Sequence, residues 1–368
     1  MDHGDGHCIR INICIALGSQ RHKPQGANVQ AGIFDSFQHN GYKDLRYKST
    51  EKHRFKSASS SLFIRVRSRC LPQYTYDKPR LKRYSVGIAV SCPLRHPTHT
   101  MAKRPLRRLP PIHDKLDIAK SREAGQLAAR VLEMLTPHVQ AGVSTEHLDQ
   151  LCHDFIVNEL KCIPANIGYH GYPKTVCASV NHVVCHGIPS AQEMLKDGDI
   201  INVDVALIKD GWFGDTSRMY TVGKVAPKAQ QLIDTTYEAM VAGIRAVKPG
   251  ATLGDIGNAI QTVAQRDGFS VVRDYCGHGI GQIYHDEPQV LHYGYRGQGM
   301  ALQEGMIFTI EPMLNMGKHD TKELDDGWTV ITKDKSLSAQ WEHMVVVTAT
   351  GYEVLTTWPE GTGTYPAP

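Results

Sequence analysis

A spacing of 108 residues recurs along the chain after about residue 119, and it constrains the fold more than any other feature. Val139-Gln140-Ala141-Gly142-Val143-Ser144 returns in kind as Val247-Lys248-Pro249-Gly250-Ala251-Thr252. The same offset carries His170-Gly171 onto His278-Gly279 and Asp204 to within one position of Glu311. Two helix-helix-strand-strand halves related by a pseudo-two-fold axis, with a site between them, would produce this pattern.

Hydrophobic periodicity fills in the halves. Over residues 119–135, Ala124, Leu127, Ala128, Val131, Leu132 and Leu135 form one helical stripe, which Pro137 stops. Ser144 caps a second helix to about residue 159, and strand-like runs follow at 176–184, 200–207 and 218–222. The order then repeats, with helices at about 228–247 and 253–267 and strands at 270–274, 306–313, 328–332 and 344–348. An α/β (α+β) domain over residues 119–358 is expected, with 359–368 as a tail.

Residues 1–100 read differently. They show no sustained period and carry 17 Lys and Arg against 6 Asp and Glu, whereas the remainder carries 24 against 31. A basic head on an acidic body is expected to be a poorly ordered extension, an interaction arm or a targeting segment. Residues 52–69 have the Arg- and Ser-rich, acid-poor texture of an organellar transit peptide, although Asp2 and Asp5 do not fit it. At Met101 the texture changes, so we expect the natural start there, with 101–118 as a Pro-rich linker or arm. No window holds the roughly 18 apolar residues of a membrane helix. The nine cysteines are odd in number and form no C-x-x-C pair, which argues against a disulfide framework or zinc ribbon and for a reducing compartment.

The chemistry lies in acids placed where acids are costly. Asp204 interrupts the apolar run Ile200-Ile201-Asn202-Val203-Asp204-Val205, and Asp215 follows the turn signal Asp210-Gly211. A hairpin there brings the two carboxylates together, and facing carboxylates repel unless a proton or cation sits between them. His278 stands between glycines in Cys276-Gly277-His278-Gly279-Ile280-Gly281, a loop without the Walker ending of a phosphate cradle. Glu311 closes the apolar run Phe308-Thr309-Ile310, and Glu342 precedes Met344-Val345-Val346-Val347. Each acid taken singly could be a hydrogen-bonded core residue. Four carboxylates and one imidazole together suit a dinuclear site for Mn²⁺, Fe²⁺, Co²⁺ or catalytic Zn²⁺, with ions about 3.5–4 Å apart, and disfavour structural zinc.

These motifs, in this order, resemble the type I methionine aminopeptidases over about residues 105–357. The resemblance rests on Gly168-Tyr169-His170-Gly171-Tyr172-Pro173, Val184-Cys185-His186-Gly187-Ile188-Pro189, Asn202-Val203-Asp204, Gly214-Asp215-Thr216, His285-Asp286-Glu287-Pro288, Ile310-Glu311-Pro312 and Gln340-Trp341-Glu342-His343, with the glycine-flanked His278. Only 25 residues separate His285 from Glu311, too few for the type II insertion, and the four cysteines of the first hundred residues lack a zinc-finger pattern. The resemblance implies the pita-bread fold and two divalent ions (Co, Mn, Fe, Zn or Ni). Asp204 would chelate one ion, Asp215 and Glu342 would bridge both, and His278 and Glu311 would complete the other. It implies a bridging water as attacking group, Glu311 as proton shuttle, His285 at the oxyanion and His186 near the scissile amide. Tyr169, Tyr172, Cys177, Tyr284 and Trp328 would line a methionine pocket. A monovalent cation would sit by Asn181, Val183 and Ser338, although His182 departs from the acid expected between the first two.

The implied function is removal of the initiator methionine from nascent polypeptides with a small second residue. The expected setting is a cytoplasmic monomer in transient contact with the ribosome, or an organelle if residues 1–100 are a targeting segment. Two alternatives remain: an Xaa-Pro dipeptidase or aminopeptidase P, which shares the five ligand types but carries a large leading domain, and a non-catalytic binding protein of the same fold, which tends to lose ligands.

Overall fold

The computed structural model describes residues 109–358 and two strands nearer the amino terminus, at 30–39 and 42–52. The chain divides into two units, Met1–His99 and Thr100–Pro368. In the first, β1 (Gln30–His39) and β2 (Tyr42–Lys52) pair antiparallel. The residues between them in the sequence are Asn40-Gly41, the pair most favoured in two-residue hairpin loops. The remaining residues of the expected extension, Met101 and the tail 359–368 lie outside the described residues.

The second unit opens with α1 (Lys115–Leu135), which starts earlier than its apolar stripe because Asp114 caps it. The Asp114 carboxylate accepts from the backbone N–H groups of Leu116 and Asp117 at 2.8 and 2.9 Å. Part of the expected linker is therefore helix. Ser144 caps α2 (Thr145–Asp154), and one π turn, Phe155–Glu159, carries the helix to its expected end. After β3 (Ile163–Pro164), the expected run at 176–184 divides into β4 (Val176–Val180) and β5 (Val183–Cys185), because Asn181 turns the chain at φ 56°. The hairpin of β6 (Ile200–Lys209) and β7 (Trp212–Thr221) turns at Asp210 and Gly211, both with positive φ, as expected from the sequence. Strand β7 begins well before residue 218, because the polar Gly214-Asp215-Thr216-Ser217 masks its alternation. β6 is flanked by β7 on one edge and by β3 and β4 on the other.

The second half has α3 (Pro227–Arg245) and α4 (Leu253–Arg266), the latter opened by a Thr252–Asp255 capping box. Its strands are β8 (Ser270–Val271), β9 (Gly277–Gly279), β10 (Asp286–Val290), β11 (Ile307–Ile310), β12 (Met313–Asn315), β13 (Thr321–Glu323), β14 (Val330–Thr332), β15 (Ser338–Gln340), β16 (His343–Val347) and β17 (Tyr352–Val354). They form sheets in the orders β10-β9-β11-β16-β17, β15-β12-β8 and β13-β14-β5. Each half has its own core. Leu132, Ile156, Val203 and Trp212 belong to the first, and Leu232, Ile260, Phe308 and Trp341 to the second.

The repeat is visible bond by bond. Gly142 and Gly250 both take positive φ (86° and 83°), and their N–H groups donate to Leu195 and Leu302. Ser144 bridges to Met194 as Thr252 bridges to Ala301. The His-Gly match does not belong to it: His170 lies in a 3-10 turn at φ 46°, whereas His278 lies in β9. The helix pairs keep the spacing, but the segments between helix and strand differ in path. Among the described residues no helix is long and apolar enough to cross a membrane.

Candidate active site and metal centre

Pairing registers assemble the acids. Cys177 on β4 lies opposite Asp204, and Ala206 lies opposite Asp215, so Cys177, Asp204 and Asp215 share one face of the sheet. Glu342 joins them because its N–H donates to the Ser217 carbonyl at 3.3 Å, while the Thr216 hydroxyl donates to the Glu342 carbonyl at 2.7 Å. From the second half, β9 presents His278 beside β11. A Cβ on Gly277 would lie 2.4 Å from the Thr309 carbonyl, and one on Gly279 would lie 2.0 Å from that of Glu287. The glycines flanking His278 are thus required by the close approach of β10 and β11.

The result is a buried cluster. One ligand atom each from Asp215, His278 and Glu342 lie within 4.8 Å of one another. His278 Nε2 stands 3.4 Å from Asp215 Oδ2 and 3.6 Å from Glu311 Oε1. His278 Nδ1 is 3.0 Å from the Gly279 carbonyl, so that nitrogen carries a proton and Nε2 is the ring nitrogen that faces the acids. Burial, followed by the charges of Asp215 and Glu311, pushes the Asp204 carboxyl well above its usual range. Glu342 is raised in the same way, by burial and then by Asp215, Glu311 and Asp204. Burial and the Asp215 charge push Glu311 up to about 7, against the opposing pull of His278 and Thr309. Burial alone would lower His278, but the two carboxylates outweigh it and hold the ring above its ordinary value. Asp215 Oδ1 is buried and makes no hydrogen bond. Acids crowded at this cost around one imidazole nitrogen fit a divalent-cation site, where a metal ion would take the place of the protons.

The cluster floors a cavity of about 360 Å³, lined by all twelve expected metal, catalytic and pocket residues. The His285 ring centroid lies 4.2 Å from that of His278, the planes tilted by 53°, with His285 Nδ1 2.7 Å from the Tyr169 hydroxyl. Burial and the neighbouring histidines push it down to about 3. Burial likewise lowers His186 to about 4. His186 takes φ 58°, a left-handed conformation strained for a residue with a side chain. The next residue, Gly187, packs so tightly on Ala178 that a Cβ would lie 2.1 Å from its carbonyl. The Tyr172 hydroxyl donates to the Gly187 carbonyl at 2.9 Å, and the Tyr172 ring meets Trp328 edge-on at 5.0 Å.

The chain from 119 to 349 matches the model of metallopeptidase family M24. The chain belongs to this family. An M24 relative from Rickettsia prowazekii (strain Madrid E), a methionine aminopeptidase, is 55% identical over 251 residues, which cover 68% of this chain and 96% of the relative. The methionine aminopeptidase of Escherichia coli (strain K12) is 57% identical over 240 residues, 65% of this chain and 91% of that protein. The crystal structure of methionine aminopeptidase from Rickettsia prowazekii superimposes with a TM-score of 0.67, at 55% identity, over 68% of this chain and all of that one. The fold is the pita-bread fold of M24, and the activity is that of a methionyl aminopeptidase dependent on divalent metal.

Sequence reasoning missed several neighbours of the M24 site. Gln340 Nε2 donates to Glu311 Oε2 at 3.3 Å, the Glu311 N–H donates to His292 Nε2 at 3.1 Å, and the Tyr284 hydroxyl donates to Asn166 Oδ1 at 2.8 Å. Tyr275 stands edge-on to His186 at 5.5 Å. Only Gln340 carried a signal, as the polar residue two before Glu342. Asn181, Val183 and Ser338 lie outside the cavity wall. Ser338 donates its N–H to the Asn181 carbonyl at 2.9 Å and its hydroxyl to Asn315 Oδ1 at 2.8 Å, and Val183 pairs with Ile331.

Proposed function

We propose that this chain removes amino-terminal methionine from polypeptides with a small second residue, using two divalent ions held by Asp204, Asp215, His278, Glu311 and Glu342. The observation that carries this reading is the meeting of these five ligand side chains and an aromatic, sulfur-bearing wall in one cavity. In this proposal Asp204 would hold one ion, His278 and Glu311 would hold the other, and Asp215 and Glu342 would be shared by both. Co, Mn, Fe, Zn and Ni all accept a set rich in oxygen with one imidazole. When bound, such ions polarise a carbonyl oxygen and make water acidic enough to deprotonate near neutral pH.

The side chains do the rest. Glu311 receives the proton from the attacking water and passes it to the departing amine. Burial keeps the Tyr169 phenol protonated, so it donates to His285 Nδ1 and leaves the imidazole proton on Nε2. That N–H donates to the carbonyl oxygen as negative charge develops there. His186, neutral and fixed by its strained backbone, hydrogen-bonds the scissile amide. Tyr169, Tyr172, Cys177, Tyr284 and Trp328 enclose the thioether, for which aromatic and sulfur contacts are favourable. A monovalent cation at the Asn181 and Val183 carbonyls and the Ser338 hydroxyl would brace the loop between β4 and β5. The reading extends to a cytoplasmic monomer that meets nascent chains transiently at the ribosome, where a new amino terminus first becomes accessible.

The test compares cleavage of Met-Ala-Ser with that of Ala-Pro peptides by Mn²⁺-loaded protein. Faster release of methionine is expected, and faster cleavage of Ala-Pro would overturn the substrate assignment.

A further inference from the structure

Thr309 is fully buried on β11, two residues before Glu311. Its hydroxyl makes two hydrogen bonds, and their directions are fixed by chemistry. The backbone N–H of His278 can only donate, so the hydroxyl accepts there, at 3.0 Å. Its single proton is then free for Glu311 Oε1, at 2.8 Å. That carboxylate oxygen is also the one that stands 3.6 Å from His278 Nε2. The register of β9 on β11 contains one pair, Phe308 with Gly279, so the side chain of Thr309 takes over the link where the ladder stops. The glycine at 277 belongs to the same device, because a Cβ there would lie 3.2 Å from the Thr309 hydroxyl.

We propose that Thr309 is a positioning residue of the metal centre, its hydroxyl holding His278 and Glu311 at the separation one divalent ion requires before that ion arrives. The assignment rests on the metal-ligand reading above. Gln340 on the second Glu311 oxygen and His292 on the Glu311 N–H restrain the same side chain from other directions, but neither touches His278 through a hydrogen bond. Thr309 alone bonds to both ligand residues among the described hydrogen bonds. Partners of this kind orient ligands and are worth about 10- to 100-fold in metal affinity or activity.

The experiment is calorimetric titration of chelated wild type, Thr309→Val and Thr309→Ser with Mn²⁺, alongside thermal melting of each metal-free protein. Valine keeps the shape and removes the hydroxyl, whereas serine keeps the hydroxyl. Thr309→Val is expected to bind the more weakly held Mn²⁺ about 10- to 100-fold less tightly. Thr309→Ser is expected to stay within about threefold of wild type by retaining that bond. A valine variant that binds Mn²⁺ like wild type, or a serine variant as weak as the valine one, would overturn the assignment. Wild type that takes up no Mn²⁺ would overturn the metal reading and this assignment together. Mn²⁺ uptake without methionine release would sink only the substrate reading, and the valine-to-serine comparison would still decide the role of Thr309.

Discussion

Glu311→Gln should stabilise the metal-free protein at alkaline pH and leave it unchanged in acid. Glu311 is 13% exposed and its carboxyl is pushed up to about 7 from 4.5, by burial first and by the Asp215 charge. Below pH 4.5 the folded and unfolded chains both hold the proton, and Glu311 makes no difference. Between pH 4.5 and about 7 the unfolded chain releases a proton that the folded chain keeps, so stability falls as pH rises. Above about pH 7 both are ionised and the loss is complete. A gap of about 2.5 pKa units at about 1.36 kcal/mol each gives about 3 kcal/mol. Glutamine can still accept from Thr309 and carries no charge, so it removes this dependence. Urea denaturation of EDTA-treated wild type and variant from pH 4.5 to 8 measures it. The two should coincide near pH 4.5 and separate by about 3 kcal/mol at pH 8. A variant no more stable than wild type at pH 8 would refute the picture of acids forced together before metal binds.

Other positions test the scaffold and the chemistry. Gly214→Ala would put a Cβ 2.2 Å from the Ala124 carbonyl of α1, beside Asp215. It should cost at least about 1–3 kcal/mol in thermal or chemical denaturation and weaken Mn²⁺ binding, as overpacking does. Tyr169→Phe removes the donor to His285 Nδ1 and should lower kcat about tenfold with little change in KM, read by steady-state kinetics on Met-Ala-Ser. His285→Ala, which removes the proposed oxyanion donor itself, should cost about 10²–10³ in kcat in the same assay.

The acids that line the cavity were legible because each breaks a local rule. Asp204 and Glu311 interrupt apolar runs, and Gly277 and Gly279 flank the imidazole for a reason the structure supplies in the Thr309 and Glu287 carbonyls. The repeat was legible in Gly142 and Gly250 and in the caps Ser144 and Thr252, because turns and helix starts demand particular residues. It misled at His170, where local similarity carries no shared backbone path. Short strands such as β9 escaped notice because Gly277-His278-Gly279 shows no apolar alternation. Thr309, His292 and Asn166 were invisible for a deeper reason. Each is an ordinary polar residue whose role comes from a partner 19 to 118 positions away.

The central claim is that these five side chains hold divalent metal and that methionine release depends on it. Metal analysis of chelated and Mn²⁺-reconstituted protein, paired with turnover of Met-Ala-Ser, tests it most directly, with His278→Ala as the control. Turnover should be lost on chelation and recover with about two ions per chain, the dinuclear stoichiometry, and should not recover in His278→Ala. Turnover that survives chelation, or an undiminished His278→Ala, would contradict it.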